Sequence, residues 1–564
     1  MADHQSSRLL LQELSGQVVW VNGGGKPVHL TLTPTHLLIN SSATLPNSTG
    51  DGNYSTFGSG GGGGIDGISP AAAHGSDRDI NVVSIADVVG SKVSQTKLEI
   101  YRYAKPASDS CYSCLCGGKG LRRAAHLTFS FPSEAAAQDW SAHLSCLLRD
   151  SLPESPATSP PPKRYLVLVN PVSGKGQGRA VWASVADMFS QAGLDAAVVV
   201  TTHANHAFNH VNTLPLAELL ALDCIVVVAG DGLVFEVVNG IMSRGDGRGA
   251  EVLRKVPLAH VGAGTGNGLG KSTLFECGEE YSSTNAAFVA LRGRPRALDL
   301  SRVETASGKV LHSFLILGWG LISDIDLLSE SLRCMGEARL HAAAVYFMLK
   351  RRLYRGRLSM HVRHRAGTLL AEVGAGVAAG GVGGADGASS GLDGASSSGG
   401  GGGSFVLPPL SQALPADAAS VDVDIEASSE GVGGGNRGRT SSWKGPGGDA
   451  FGWKTIESDF LLVWVLQTSH ATVSMHSGPG VRLDDGLFTI FVVESMSRCE
   501  MLQLLLAIDD GQHIHHPKVQ RYQCNAYRLE PKTPKGLYSL DGESVDYGPI
   551  QAAVLPGAAR VMKL

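Results

Sequence analysis

The chain has 564 residues, of which 43% are hydrophobic. That is more than one core usually fills, so two or more domains are expected. Lysine plus arginine (47) against aspartate plus glutamate (51) gives a net charge of -4, and this balance does not favour a nucleic-acid partner. The apolar stretches are much shorter than the ~18 residues that cross a bilayer, and nine mostly scattered cysteines indicate a reducing compartment. Any membrane contact is therefore expected to be peripheral.

Residues 1–150 predict short strands closed by one helix. The predicted strands are Val18–Val21, His29–Leu38, Asn81–Ile85, Leu98–Tyr103 and His126–Phe131. The helix runs over Glu134–Leu148, with Ser133 as its N-cap and Trp140, Leu144 and Leu147 on one face. This arrangement resembles a small pleckstrin-homology-like β module. The glycine run 59–64 predicts a loop tip, and Pro-rich residues 151–163 predict a linker.

From Arg164 the pattern becomes strand, glycine-rich turn and helix, repeated. The predicted strands are Tyr165–Val169, Ala196–Thr201, Cys224–Ala229 and Pro257–Val261. Helices are predicted over Ala180–Ala192, Ala204–Leu220 and Leu233–Met242, and after Asn267. Strands that are apolar throughout and alternate with helices predict a parallel α/β sheet, here over residues 164–297.

Residues 298–564 predict a second, β-rich domain with one long helical segment near Asp326–Arg352. Its later strands are predicted at Asp459–Gln467, Leu487–Val493 and Tyr522–Leu529. Residues from about 373 to 449 are mostly Gly, Ala, Ser and Asp with almost no aromatics. Such a stretch buries too little apolar surface to offset its ordering entropy, so we expect a disordered insert.

Three glycine-rich turns each follow a buried strand of the predicted parallel sheet. They are Asn170–Gly178, Gly230–Leu233 with Glu236 one turn on, and Gly262–Gly268. Strand ends in a parallel sheet meet at one edge, where ligands bind, and glycines let the backbone approach phosphate oxygens. Neither common phosphate motif fits, because Asn267 stands at the last glycine of G-x-G-x-x-G and Thr265 at the first glycine of a Walker A. Three such turns together favour nucleotide binding.

These turns are similar to the nucleotide loops of the diacylglycerol kinase and sphingosine kinase superfamily, and sphingosine kinases are the closest in pattern. The Gly-Thr-Gly-Asn-Gly form of the third loop is most like plant-type members. The resemblance implies an α/β nucleotide-binding domain of the NAD-kinase and diacylglycerol-kinase type and a C-terminal antiparallel β-sandwich-type lipid domain. Two positions depart from the family pattern, Ala229 before Gly-Asp-Gly and Gly262 before the third loop.

The resemblance also implies the roles of individual residues. Asp231 would be the general base, and the alternative is an N-cap of a helix beginning at Leu233. The implied cofactors are ATP and Mg²⁺, with Mg²⁺ held mainly by ATP phosphates and no dedicated protein metal site. The implied nucleotide-binding residues are Asn170, Pro171, Val172, Gly174, Lys175, Gly176, Thr201, Asn205, Gly230, Gly232, Glu236, Gly264, Thr265, Gly266, Asn267, Arg333, Arg339, Asp541, Gly542 and Glu543.

On the substrate side, Asp324 and Asp326 follow the apolar run Phe314–Ile322. A carboxylate beside an apolar wall suits a lipid with a cationic head, and by resemblance Asp326 would meet the amine of a sphingoid base. Leu321 and Ile322 are the predicted pocket wall. An acid in the first turn of a helix is the alternative for Asp326.

The expected function is ATP-dependent phosphorylation of sphingoid long-chain bases by a cytoplasmic protein associated peripherally with intracellular membranes. Two alternatives remain, a ceramide kinase and an inactive lipid-binding regulator. No protein partner is indicated.

Two smaller clusters allow more than one interpretation. Cys111, Cys114 and Cys116 have zinc-like spacing without a second ligand pair, so free or palmitoylated thiols are at least as well supported. His513, His515 and His516 are predicted to lie in an exposed β-turn region.

Overall fold

The structure is a computed structural model that describes residues 14–20, 27–40, 80–106, 120–149, 160–331, 343, 345–347, 349–364, 407–412, 414, 443–444 and 450–564. Arg333, Arg339, the three cysteines at 111–116 and most of the predicted insert and linker lie outside the described residues. The chain forms two compact units. One comprises Met1–Lys163 with Val185–Asp195, and the other comprises Arg164–Ser184 with Ala196–Leu564.

The first unit contains a seven-stranded sheet in the order β4-β3-β2-β1-β7-β6-β5. Its strands are β1 (Leu14–Trp20), β2 (Pro27–Leu32), β3 (His36–Asn40), β4 (Ile80–Ser84), β5 (Val88–Ser94), β6 (Lys97–Ala104) and β7 (Arg123–Ser130). The single strand predicted over His29–Leu38 is wrong, because a turn closed by Thr33 N–H donating to the His36 carbonyl at 2.9 Å makes it a hairpin. The sequence prediction also missed β5.

Helix α1 (Glu134–Arg149) follows the sheet and confirms the predicted helix. The Ser133 hydroxyl accepts the Ala136 N–H at 3.2 Å, as an N-cap does. Trp140 and Leu144 are buried in the same core as Leu98 and Phe129. The predicted apolar face of the helix therefore closes this core.

The second unit begins with the predicted alternation of strands and helices. In chain order its elements are β8 (Arg164–Val169), α2 (Gly178–Gln191), β9 (Asp195–Val200), α3 (His206–Thr213), α4 (Leu216–Leu220), β10 (Cys224–Ala229), α5 (Asp231–Met242), α6 (Gly249–Lys255), β11 (Leu258–Gly262), α7 (Gly268–Glu276) and α8 (Ser283–Arg292). Strand β10 pairs in parallel with both β8 and β11, so the parallel α/β sheet is confirmed. The sequence prediction missed α6 and α8.

The rest of the second unit is mainly antiparallel. Its elements are β12 (Arg294–Glu304), β13 (Val310–Ser313), β14 (Ile316–Gly320), α9 (Leu321–Ser331), β15 (Tyr354–His364), β16 (Trp443–Lys444), β17 (Ala450–Phe460), β18 (Leu462–Leu466), β19 (Phe488–Val493), α10 (Arg498–Ala507), β20 (Gln520–Pro531), β21 (Tyr538–Leu540), β22 (Glu543–Val545) and β23 (Ile550–Lys563). Helix α9 begins before the predicted helical segment, and α10 was not predicted.

The last strand, β23, joins the two halves of this unit into one sheet of 16 strands. It runs parallel to β11 at Leu258 and Val561, and antiparallel to β12 and β20. Strand β12 crosses the domain boundary that the sequence places between residues 297 and 298. The parallel and the antiparallel parts of this unit therefore share a continuous backbone ladder.

Part of the predicted disordered insert is ordered, so that prediction is wrong for Leu407–Gln412 and for β16. The buried Arg528 guanidinium donates to the carbonyls of Gln412 at 2.6 Å, Pro408 at 3.0 Å and Pro409 at 3.3 Å. Gln551 also donates to the Pro408 carbonyl, at 2.9 Å. The composition of the whole insert conceals this short Pro and Leu run, because its ordering comes from a distant arginine. Among the described helices, none is long and apolar enough to cross a membrane.

Candidate active site

The three glycine-rich turns pack backbone against backbone at one edge of the parallel sheet. A Cβ built on Gly264 would lie 2.4 Å from Gly230 Cα, and one on Gly174 would lie 2.8 Å from the Ala263 carbonyl oxygen. The buried Ser173 hydroxyl accepts the Gly230 N–H at 2.8 Å and joins the first turn to the second. No side chain fits at these approaches, so the glycines bring the turns together.

The first turn leaves its backbone exposed at Gly174, Lys175 and Gly176. Asn170 shapes its entry, because the side-chain oxygen accepts the Val172 N–H at 3.1 Å. Pro171 lies between them, and Val172 itself is 76% exposed. The predicted ligand-facing residues of this turn therefore border open space.

Two further residues implied to bind the nucleotide, Thr201 and Asn205, follow strand β9. Thr201 is buried, and its N–H donates to the Val169 carbonyl at 2.8 Å, which ties it to the end of β8. Asn205 is exposed and takes a left-handed conformation (φ 61°) at the start of α3. Both residues thus follow a strand neighbouring the first turn.

The third turn is closed by Asn267. Its side-chain oxygen accepts the Gly264 N–H at 2.8 Å, and its amide donates to the Gly264 carbonyl at 2.7 Å. Thr265 is exposed at the tip, and the Gly266 carbonyl accepts the Val473 N–H at 3.0 Å. Asn267 is buried and used internally, so it shapes the turn, whereas Thr265 faces outward.

Asp231 lies at the start of α5, and its carboxylate points to another helix. It accepts the Gly268 N–H at 2.8 Å and the Leu269 N–H at 3.1 Å, both at the start of α7. The N-cap position of α5 belongs to Gly230, so the alternative in which Asp231 caps its own helix is wrong. The carboxylate of Asp231 therefore joins the start of α5 to the start of α7.

His260 stands behind Asp231, a contact that the sequence did not indicate. Its Nδ1 is 3.7 Å from Asp231 Oδ1, but Nδ1 accepts the Gly270 N–H at 3.1 Å and Nε2 bonds the Ala229 carbonyl at 2.9 Å. This network places the ring proton on Nε2. His260 therefore braces the turns as a neutral ring and forms no ion pair with Asp231.

Two further acidic residues lie at or on α5, Glu543 and Glu236. A Cβ on Gly232 would lie 3.1 Å from Glu543 Oε1, so the Glu543 carboxylate covers the first turn of α5. Glu236, further along α5, has a buried Oε2 without a hydrogen-bond partner. Gly542 is exposed at φ 87° with open space around it.

Asp541, in the same turn as Glu543, is turned inward. Its carboxylate accepts the Ser313 hydroxyl at 2.7 Å and the backbone N–H groups of Phe314, Leu315 and Ile316 at 3.1, 3.1 and 2.8 Å. Burial raises its pKa to about 6. Asp541 therefore positions the turn through internal bonds, and the exposed residues of this turn are Gly542 and Glu543.

The two acids of α9 have different surroundings. Asp324 is buried, accepts the Tyr354 hydroxyl, and has its pKa raised by burial. Asp326 is half-buried and accepts the Ser539 hydroxyl. Asp324 is thus a core residue, whereas Asp326 is the more exposed acid of the two.

An apolar cavity of about 10 Å³, roughly what one water molecule needs, lies beside the start of α9. It is lined by Ile322, Leu462, Trp464, Phe491, Val493, Leu504, Ile508, His513 and Val519. Ile322 lines this cavity, whereas Leu321 is buried in the surrounding core. The predicted exposure of His513 is wrong, since it is 3% exposed and packs against the rings of Trp464 and Phe491.

Within the described ranges, no group of three or more His, Cys, Asp or Glu side chains is arranged to hold a metal ion. The cationic groups expected at the phosphates are Lys175, in the exposed first turn, and Arg333 and Arg339, which lie outside the described residues.

Fold and site define a lipid kinase of the diacylglycerol kinase class. Residues 164–303 match the diacylglycerol kinase catalytic domain. Residues 451–563 match the YegS C-terminal NAD kinase beta sandwich-like domain. The predicted α/β catalytic fold and C-terminal β-sandwich are therefore confirmed, and the chain is a phosphotransferase.

Whole-chain similarity is more specific. Human sphingosine kinase 2 is 31% identical over 82% of this chain and 83% of its own length. Human sphingosine kinase 1 is 31% identical over 70% of this chain and 90% of its own length. Arabidopsis thaliana sphingosine kinase 1 is 27% identical over 69% of this chain and 69% of its own length. The chain belongs to the sphingosine kinase family. These identities are too similar to single out a plant-type member.

Proposed function

We propose that the chain transfers the γ-phosphoryl group of ATP to the primary hydroxyl of a sphingoid long-chain base, giving the 1-phosphate. The observation that carries the proposal is Asp231, whose carboxylate is held by two helix amides at the meeting point of three glycine turns. The membership of the chain in the sphingosine kinase family supports the acceptor class.

In the proposed reaction, Asp231 accepts the proton of the substrate hydroxyl while that oxygen forms its bond to the γ-phosphorus. The bond between the γ-phosphorus and the bridging oxygen of ADP breaks. Phosphoryl transfer depends mainly on positioning and charge. The exposed backbone of the first turn, Thr265 and Lys175 suit contacts to the phosphates, and Arg333 and Arg339 are proposed to add positive charge there.

Mg²⁺ fits the oxygen-rich surroundings of the site. Glu236 has a buried carboxylate oxygen without a partner, and hard cations prefer oxygen ligands. We propose that Glu236 holds the ion, directly or through water, with ATP phosphates supplying other ligands. Bound there, Mg²⁺ would neutralise charge that develops on the phosphates.

The lipid would be held by α9 and the cavity beside it. Asp326 is proposed to pair with the protonated amine, with Ser539 fixing the carboxylate. Ile322, one helical turn before Asp326, lines the apolar cavity. At about 10 Å³ the cavity is far smaller than the ~300–1,000 Å³ usual for ligand pockets, so its side chains would have to move apart to admit an alkyl chain.

The decisive assay incubates the purified chain with radiolabelled ATP and sphinganine, phytosphingosine, ceramide or diacylglycerol. The proposal predicts labelled product with the two sphingoid bases and little with the uncharged lipids. Label on ceramide alone would replace this function by ceramide phosphorylation. No labelled lipid from a protein that still binds ATP would favour an inactive regulator.

The N-terminal module is proposed to be pleckstrin-homology-like, because seven antiparallel strands are followed by a helix that carries a buried Trp140. We further propose a cytoplasmic location with peripheral contact to intracellular membranes. Near the cavity, α10 exposes Leu502 (43%) and Leu506 (67%), and Arg498 of α10 bonds the carbonyl of Leu349, which is 60% exposed. Flotation with anionic vesicles tests this, and binding unchanged in L502E/L506E would exclude α10 as the contact.

A further inference from the structure

The hydroxyl of Tyr281 occupies a space that a glycine leaves open behind the third turn. Tyr281 lies between α7 and α8, and Gly262 ends β11 just before the turn. A Cβ built on Gly262 would lie 2.2 Å from the Tyr281 hydroxyl oxygen and 2.8 Å from Cβ and Cγ of Asn267. The hydroxyl therefore lies beside Asn267 and fills the place that a methyl group would take at position 262.

The Tyr281 oxygen is buried and makes no hydrogen bond to any residue that the structure describes. Burial, and after it the nearby Asp231 carboxylate, raise the pKa of Tyr281, so the hydroxyl keeps its proton at neutral pH. A buried donor without an acceptor destabilises a folded protein. Groups that weaken a fold in this way are found mainly at functional sites. The contribution of this hydroxyl therefore lies in the space that it fills.

The turn beside this hydroxyl has two tasks in the proposed reaction. Asn267 closes the turn through its two bonds to Gly264, next to the backbone proposed to contact phosphate. The amides of the next two residues, Gly268 and Leu269, hold the Asp231 carboxylate. A shift of Asn267 would therefore move the phosphate contacts and the proposed base together. A misplacement of about 1 Å costs ~10²-fold in rate.

We propose that Tyr281 is a positioning residue for phosphoryl transfer. Its hydroxyl, packed on Gly262, prevents Asn267 from moving back and so keeps the third turn in the shape that binds the phosphates of ATP. This inference rests on the proposed function. In this role Tyr281 touches neither ATP nor the lipid and acts through the turn.

A reciprocal exchange of one small group tests the inference. Tyr281→Phe removes the hydroxyl and leaves a gap, and Gly262→Ala adds a methyl group where the hydroxyl lies. Each change should weaken ATP binding and raise KM for ATP by about 10-fold, with KM for sphinganine nearly unchanged. In the double variant the methyl group replaces the hydroxyl, and a large part of the lost ATP affinity should return. Equilibrium titration with ATP measures this affinity without a lipid.

Tyr165→Phe is the matched control, because it removes a buried tyrosine hydroxyl at the opposite end of β8 from the first turn. That hydroxyl donates to the Ala290 carbonyl at 3.0 Å. Tyr165→Phe should lower the melting temperature and keep ATP affinity, whereas Tyr281→Phe should keep or raise the melting temperature and lower ATP affinity.

Wild-type ATP affinity in Tyr281→Phe would overturn the inference, and so would a double variant that binds ATP no better than Gly262→Ala. The predicted changes in ATP affinity, in a protein that phosphorylates no sphingoid base, would support the role of Tyr281 in the turn and overturn the proposed function alone.

Discussion

The edge where the three glycine turns meet, proposed to bind the nucleotide, is here the nucleotide edge, and the apolar cavity beside α9, proposed to take the lipid, is the lipid cavity. The two are built by different means. At the edge, three turns meet through glycine backbone, with Gly264 so close to Gly230 that a Cβ would lie 2.4 Å from its Cα. The cavity is walled by large side chains from α9, β18, β19, α10 and the segment after it. The edge is thus fixed by close backbone contacts, whereas the cavity is fixed by side-chain packing that can open.

Among the substitutions that test this difference between edge and cavity, Gly264→Ala should have the largest effect. The added Cβ meets backbone that cannot rotate away, so the second and third turns must separate. A misplacement of about 1 Å costs ~10²-fold in rate, and we expect at least that loss in kcat/KM for ATP, with about 1–3 kcal/mol of stability lost to overpacking. Steady-state kinetics and thermal unfolding measure both.

Gly245→Ala is the control for this change, because no atom lies within 4 Å of its Cβ position. It should behave as wild type. Normal ATP kinetics in Gly264→Ala would show that the turns tolerate separation, and the contrast between a rigid edge and an adaptable cavity would fail.

The sequence predicted the nucleotide edge much better than the cavity. Strand ends of a parallel sheet share an edge, so Gly174, Gly230 and Gly264 could be brought together from local patterns alone. Trp464, Phe491 and His513 meet only through antiparallel pairing of distant strands and a turn after α10, for which no local pattern exists. His260 and Ser173 were missed because each bonds a backbone group of a neighbouring turn or strand, and such a single side-chain contact leaves no local pattern.

Asp326→Asn should have the next largest effect, and it acts on the lipid side. Loss of one partner of a desolvated charge pair costs ~2–5 kcal/mol, so kcat/KM for sphinganine should fall by one to three orders of magnitude while KM for ATP changes little. The preference in kcat/KM for sphinganine over uncharged lipids should become smaller. Kinetics with sphinganine and ceramide measure both effects.

Asp324→Asn is the matched comparison, because its carboxylate is buried and accepts the Tyr354 hydroxyl. It should mainly lower the melting temperature. If Asp324→Asn damages sphinganine use and Asp326→Asn is silent, the amine is bound two residues earlier than proposed.

Two deletions of different length test the insert, whose composition alone predicts that both are harmless. Removing residues 370–404 should change stability little, because loop closure depends weakly on length, by ~0.6 kcal/mol per doubling. Extending the deletion through Leu407–Gln412 removes three carbonyl partners of buried Arg528. The guanidinium keeps its Nε bond to Gln551 at 2.9 Å, but its Nη groups lose their carbonyl partners. Buried donors without partners cost ~1–3 kcal/mol, so chemical denaturation should show a loss of about 2 kcal/mol.

Gln412→Ala keeps the carbonyl that binds Arg528 and should be neutral. Equal stability of the short and long deletions would show that the Leu407–Gln412 contact contributes nothing to folding. Arg528→Met in the long deletion should recover part of the loss, because it removes the unpaired donors.

The smallest expected effect is the loss of folding stability at acid pH that comes from His513. His513 has its pKa lowered by burial from 6.5 to about 4, so between these values the unfolded chain binds more protons than the folded one. Its contribution is therefore complete above about pH 6.5 and is lost as pH falls towards about 4. From pH 7 to 5.5 this amounts to about 1 kcal/mol. His513→Gln should reduce the pH slope of the unfolding free energy, and an unchanged slope would contradict a neutral buried ring.

Asp231→Asn provides the most direct test of the central claim that Asp231 is the base of a sphingoid-base kinase. Asparagine keeps one oxygen to accept a helix amide, so the variant should fold and bind ATP as wild type does. General bases contribute ~10²–10⁴-fold, and turnover with sphinganine should fall by at least two orders of magnitude. Glu134→Gln, at an exposed acid on α1, should leave it unchanged. Near-normal formation of sphinganine 1-phosphate by the folded Asp231→Asn protein would contradict the account.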